Sequence, residues 1–130
     1  MSGYVTNIER DTLENEDYRR VLFTGPNTQL VLMTLRPGEE IGLEKHGGHD
    51  QFIRVEAGTG YVELDGKRHD LEDGSAVVIP SGAKHNVVNT SQSEALRLYT
   101  LYSPPEHPDG TVQHTKADEA AAKAHTGGSA

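Results

Sequence analysis

A chain of 130 residues is long enough for one hydrophobic core and too short for two of useful size. Hydrophobic residues at 34% and charged residues at 25% give the balance of a globular rather than a disordered chain. Twelve Lys and Arg against twenty Asp and Glu leave a formal net charge of −8, which repels phosphate backbones and anionic lipid and argues against nucleic-acid or membrane partners. Along the chain, residues 10–18 read first, as one short helical turn. Short apolar runs then follow at 21–24, Gln29–Leu35, 51–55, 61–64, Ala76–Ile79, 86–89 and 96–102. Each is of strand length and most are rich in Val, Ile, Leu, Thr and Tyr. Between them stand Arg36-Pro37-Gly38, Gly47-Gly48, Asp65-Gly66, Asp73-Gly74 and Pro80-Ser81-Gly82, all turn chemistry. Asp65-Gly66 predicts a tight hairpin into residues 69–71. The Ala-rich stretch Lys116–His125 predicts a short C-terminal helix, and the end, 126–130, should fray.

Many short strands at close spacing indicate an all-β sandwich or barrel with antiparallel pairing. The expected organisation is a single domain over 1–130, with the barrel core at about 21–103 and a tail from 104 to 130. Two runs, Gln29–Leu35 and 96–102, are apolar or aromatic at both parities, so both faces should be covered, by a second sheet or by another subunit. That reading favours a homodimer. There is no cysteine, which excludes disulfides, thiolate-bound metals, iron–sulfur clusters and thiol catalysis. The N-terminus shows no basic stretch leading into an apolar run, and no segment approaches the roughly 20 apolar residues of a membrane span. A cytoplasmic address is the expectation.

Several polar residues between Gly38 and Asn89 fall into a pattern that packing does not explain. The first half reads Gly38, five residues, Glu44, one residue, His46, four residues, Gln51, six residues, Gly58. Two residues apart on an extended segment, Glu44 and His46 leave on one face. The Gly47-Gly48 turn reverses the chain, so Gln51 opens the next strand beside them. The second half reads Gly74, five residues, Pro80, one residue, Gly82, two residues, His85, three residues, Asn89. It sets His85 at the mouth of another strand.

These two halves resemble the paired signature motifs of the cupin superfamily. Glu44 stands where the family's first motif has its first His, His46 at the second His, and Gln51 at the Glu. Every fixed position of the second motif is matched, by Gly74, Pro80, Gly82, His85 and Asn89. The tail 103–111 is further similar to small bacterial cupins labelled mannose-6-phosphate-isomerase-like. The resemblance implies a jelly-roll β-barrel with one metal per chain near one end, held at the four motif positions: Glu44, His46, Gln51 and His85. Residue chemistry agrees with it. Two imidazoles and one carboxylate suit a divalent Mn, Fe, Co, Ni or Zn ion. Gln51 can add a neutral amide oxygen or hold a metal-bound water. Exchanging a His for Glu44 and a Glu for Gln51 keeps two nitrogens and one negative charge.

His49, three residues past His46 across two glycines, is the alternative ligand if Glu44 does not bind. His69, His107, His114 and His125 read as ordinary surface or core histidines. Tyr61, Tyr99 and Tyr102 read as core, and Lys45, Arg54, Lys84 and Arg97 as surface charges. Gly38, Gly58, Gly74 and Gly82 are expected to take positive φ. Three functions fit a barrel of this kind. One is an isomerase-like enzyme for a small sugar or sugar phosphate, one a non-haem dioxygenase, and one a non-catalytic binder of a small ligand. Phosphate recognition would call for an inward Arg or Lys; the parity of Arg97 decides whether it serves.

Overall fold

Positive φ at two successive residues closes a hairpin whose twist matches its strands, and Asp65 (φ 48°) with Gly66 (φ 83°) supplies it. This turn joins β5 (Gly60–Leu64) to β6 (Lys67–Leu71) in the computed structural model, which describes residues 2–45 and 47–125. His46 and the expected frayed end, 126–130, lie outside the described residues. The other strands are β1 (Arg19–Thr24), β2 (Gln29–Leu35), β3 (Glu44–Lys45), β4 (Asp50–Ala57), β7 (Ala76–Ile79), β8 (Lys84–Asn89), β9 (Leu96–Ser103) and β10 (Val112–Gln113). The helices are α1 (Ile8–Glu14) and α2 (Lys116–His125). No described helix is long and apolar enough to cross a membrane.

The expected jelly roll is present. Two antiparallel sheets face each other, one in the order β10-β1-β2-β9-β4-β7 and the other β3-β8-β5-β6. Gly38, Gly58, Gly74 and Gly82 all have positive φ, between 76° and 110°. The interior changes character along its length, because alternate residues of each strand point inward. On β9 the inward series runs Leu96, Leu98, Thr100, Tyr102, and on β4 it runs Val55, Ile53, Gln51. Leu35 pairs with Leu96 at one end, while Gln29, Tyr102 and Gln51 stand in one row at the other. One end is therefore an aliphatic plug and the other a polar mouth.

Motif residue Asn89 belongs to the aliphatic end. Its amide donates to the carbonyls of Leu35, Arg36 and Glu94 at 2.9–3.1 Å and its Oδ1 accepts from the Ser91 amide. It clamps loops and does no chemistry.

The outer face of β2 is covered within the chain. Asn7 caps α1 by accepting from the Arg10 amide, and the helix packs over β2, β4 and β9. Leu32 and Thr34 are buried beneath it, Thr34 donating to the Asn15 carbonyl at 2.8 Å. Arg97 points outward too, to the Asn15 carbonyl and to Glu16 at 2.9 Å, so it is not the inward cation a phosphate would need. A homodimer would have to use other apolar positions. The outer row Phe23, Leu30, Leu101, Phe52, Val78, in register across five strands, offers them.

Gln29 sets the polar mouth. Fully buried, it donates to Thr24 Oγ1 (2.9 Å) and the His107 carbonyl (2.8 Å) and accepts from the amides of Glu106 (3.1 Å) and His107 (3.0 Å). A Gln29→Leu protein leaves these buried backbone groups unpaired, so chemical denaturation should show a loss of about 3 kcal/mol. A loss under about 0.5 kcal/mol would mean that the 104–108 segment is held by something else.

Candidate functional site

Register brings the two sequence motifs together. Glu44 on β3 lies directly opposite His85 on β8, so both side chains stand on one face of the smaller sheet. Gln51 enters from the larger sheet, on the strand that pairs Gln51 with Ile79 and Tyr102. His49, Gln51 and His85 line one small, tightly closed cleft with Ile79, Pro80 and Ala83. The turns that carry these residues are tied to each other: the Gly48 amide donates to Ser81 Oγ and the Ser81 amide to Asp50 Oδ1, both at 2.9 Å.

His85 is buried, with Nδ1 3.2 Å from the Ala83 carbonyl. A carbonyl only accepts, so Nδ1 carries a proton, and in the tautomer that ligates a metal the lone pair is on Nε2. Gln51 is buried and its amide nitrogen donates to Thr100 Oγ1 at 3.0 Å, which fixes the side chain's orientation. Its carbonyl oxygen, Oε1, is buried with no hydrogen-bond partner. Glu44 is half-buried beside His85 and does not line the cleft itself. Among the described residues no three His, Asp or Glu side chains gather as a metal cage. The donor chemistry still fits a divalent ion. An acceptor oxygen buried without a donor is costly unless a cation or water meets it, and Gln51 shares its cleft with His49 and His85, the latter the cross-strand partner of Glu44.

Around this cleft the structure adds contacts to His49, the expected alternative ligand, and to Tyr102 and His107, and it brings in Arg19, Gln29, Glu106 and Glu119, which sequence alone did not single out. His49 Nε2 is 2.9 Å from Glu106 Oε2, on the segment that Gln29 anchors. Tyr102 stands edge-on to both His49 and His107, with centroids 5.7 and 5.2 Å away. Burial pushes the Tyr102 hydroxyl far above its ordinary range; Arg19 opposes that and Glu44 adds to it. It remains a protonated donor. Arg19 is the inward cation, buried on β1 and donating to Gln113 Oε1 at 2.7 Å and to Glu119. Parity carried a signal for two of these: Gln29 shares the inward phase of Val31, Met33 and Leu35, and Arg19 that of Val21. Glu106 and Glu119 had none, since their placement comes from how the tail crosses the barrel.

The chain is similar to known proteins. A cupin-domain profile matches residues 31–102. The chain is 46% identical over 126 residues to YrkC of Bacillus subtilis strain 168, covering 92% of this chain and 67% of that protein. Protein L612 of Acanthamoeba polyphaga mimivirus is 43% identical over 128 residues, covering 95% and 79%. The crystal structure of BH2720 from Bacillus halodurans superposes with a TM-score of 0.89 at 44% identity, over 92% of this chain and 95% of that one.

Proposed function

The chain belongs to the cupin family, and from that premise we propose that it is a metal-dependent, isomerase-like enzyme for a small sugar or sugar phosphate. Glu44, His46, Gln51 and His85 hold its single divalent ion. The observation that carries the reading is the Gln51 carbonyl oxygen, buried without a donor in the cleft that Gln51 shares with His85. The interior also holds a buried cation, Arg19, whose charge acts on the Tyr102 hydroxyl, and this favours a hydroxylated, anionic substrate over the apolar one that oxygenation would suit. A bound divalent ion would supply a Lewis acid for a substrate carbonyl.

The chain's own residues divide the remaining work. Thr100 holds Gln51 in place, and the Ala83 carbonyl holds His85 in the tautomer that binds metal. Tyr102 supplies a hydroxyl that stays protonated. His49, with the Glu106 carboxylate 2.9 Å from one ring nitrogen, is the group placed to move a proton at the rim. The Gln29-anchored segment carries the Glu106 that meets His49.

The test is a comparison at Gln51. An ion with Glu44 as its one anionic ligand keeps about one formal positive charge. Gln51→Glu removes that charge at constant size, and the Thr100 hydroxyl can turn to donate to the new carboxylate. Metal affinity should rise by roughly tenfold, because charge count tunes such sites, while inorganic phosphate binding to the loaded protein weakens. Gln51→Ala, which loses a neutral ligand, should weaken metal binding only modestly. Metal titrations on the three proteins decide: equal affinities would remove Gln51 from the ion and put His49 in its place.

A further inference from the structure

We propose that Arg19 is an oxyanion-binding residue inside the barrel, and that Glu119 of α2 is a resident carboxylate that an entering carboxylate or phosphate group displaces. This deepens the reading above by naming the group that recognises the substrate's charge. It depends on that reading only for where the rest of the substrate lies.

A guanidinium offers five donors in a planar fork, and recognition of an oxyanion uses two parallel ones. Arg19 is used on one corner. Nη1 meets both Gln113 and Glu119, whereas Nε is buried with no acceptor. Close by, the Tyr18 ring lies 5.2 Å from the guanidinium carbon, and the Tyr18 hydroxyl is likewise buried without a partner. Burial first, then the charge of Glu119, pushes that hydroxyl well above its ordinary range, so it stays a donor. Two unanswered donors beside a buried cation describe an anion site more fully than a helix tether. A tether would be expected to use its donors.

The helix that brings Glu119 supports the same conclusion. A surface helix is ordinarily held by an apolar stripe. Of side chains 117–122, only Glu119 is not exposed; Ala117, Ala120, Ala121 and Ala122 all face solvent with Asp118. The helix is tied down by Arg19 to Glu119 and by the Lys116 ammonium to the Glu40 carbonyl. Among the described side chains 117–122, lifting the helix uncovers no buried apolar group, and an oxyanion on Arg19 replaces its ion pair with Glu119. Tyr102 lies between the two regions: its ring borders His49, and the charges of Arg19 and Glu44 both act on its hydroxyl.

Inorganic phosphate is the probe, titrated calorimetrically into the full chain after EDTA treatment, so that success or failure of the metal reading does not enter. Glu119→Gln removes the competing charge and should bind phosphate at least tenfold more tightly than the unmodified protein. Arg19→Gln combined with Glu119→Gln keeps neutral groups of similar shape and should lose that binding. Phosphate should also speed amide hydrogen exchange in α2 of the unmodified protein, which reports displacement even if the double variant folds poorly. Unchanged affinity in Glu119→Gln, or a folded double variant that binds as Glu119→Gln does, overturns the proposal. Phosphate binding that appears only after Mn²⁺ is restored overturns it as well, while leaving the metal reading intact.

Discussion

Replacing His85 with alanine should yield protein that emerges from dialysis essentially free of metal, with affinity down on the order of 100-fold or more. Among the described residues, His85 alone is a histidine contributed by the second motif, and it sits between the ligands from the first. Glu44 is its cross-strand partner and Gln51 its neighbour across the cleft. Neither supplies a second soft nitrogen. Its ring is held by the Ala83 carbonyl in the tautomer that ligates, so the side chain is oriented before metal arrives. His69→Ala is the matched control, because His69 is exposed on the edge strand β6 and should keep full metal content. Elemental analysis of both proteins checks the result; stoichiometric metal in His85→Ala would show that the ion is bound elsewhere.

The largest stability effect should come from a residue with no chemistry. Gly60 opens β5 where it crosses β8, and a Cβ there would lie 2.1 Å from the Val88 carbonyl oxygen and 3.4 Å from a Leu96 methyl. The obstacle is backbone of a paired central strand, which cannot rotate aside as a side chain could. Gly60→Ala must therefore push β8 away from β5, at a cost of about 3 kcal/mol or more. Its thermal midpoint should fall by roughly 10 °C. Because β8 also carries His85, metal affinity should drop with it even though position 60 is at the aliphatic end. A Gly60→Ala protein that melts normally would mean that β5 and β8 are spaced differently.

The strands were legible where period and punctuation agreed. Gln29–Leu35 and Ala76–Ile79 have the limits the sequence suggests, and Asp65-Gly66 makes the hairpin it predicts. Strands β3 and β10 were not found because two residues carry no period, and pairing with a neighbour alone defines them. Helix α1 begins two residues earlier than its apolar pattern suggests, since Asn7 caps it. Covering both faces of Gln29–Leu35 was anticipated, but the cover for Leu32 and Thr34 comes from α1 in the same chain. In the site, spacing brought Gln51 and His85 to one cleft and Glu44 to the partner position of His85. Spacing also raised His49, which shares the cleft, but it could not report that the tail brings Glu106 and Glu119 to His49 and Arg19. Those contacts join residues far apart in the sequence, and a local pattern holds no trace of them.

Paramagnetic broadening reports where the ion is held. Mn²⁺ titrated into isotopically labelled protein should bind at one equivalent per chain. Signals of His49, Gln51, Ala83 and His85 should vanish first, while Val55 and Leu96 at the aliphatic end stay sharp. Broadening centred on any other part of the barrel, or none at one equivalent, would contradict a metal held between Gln51 and His85.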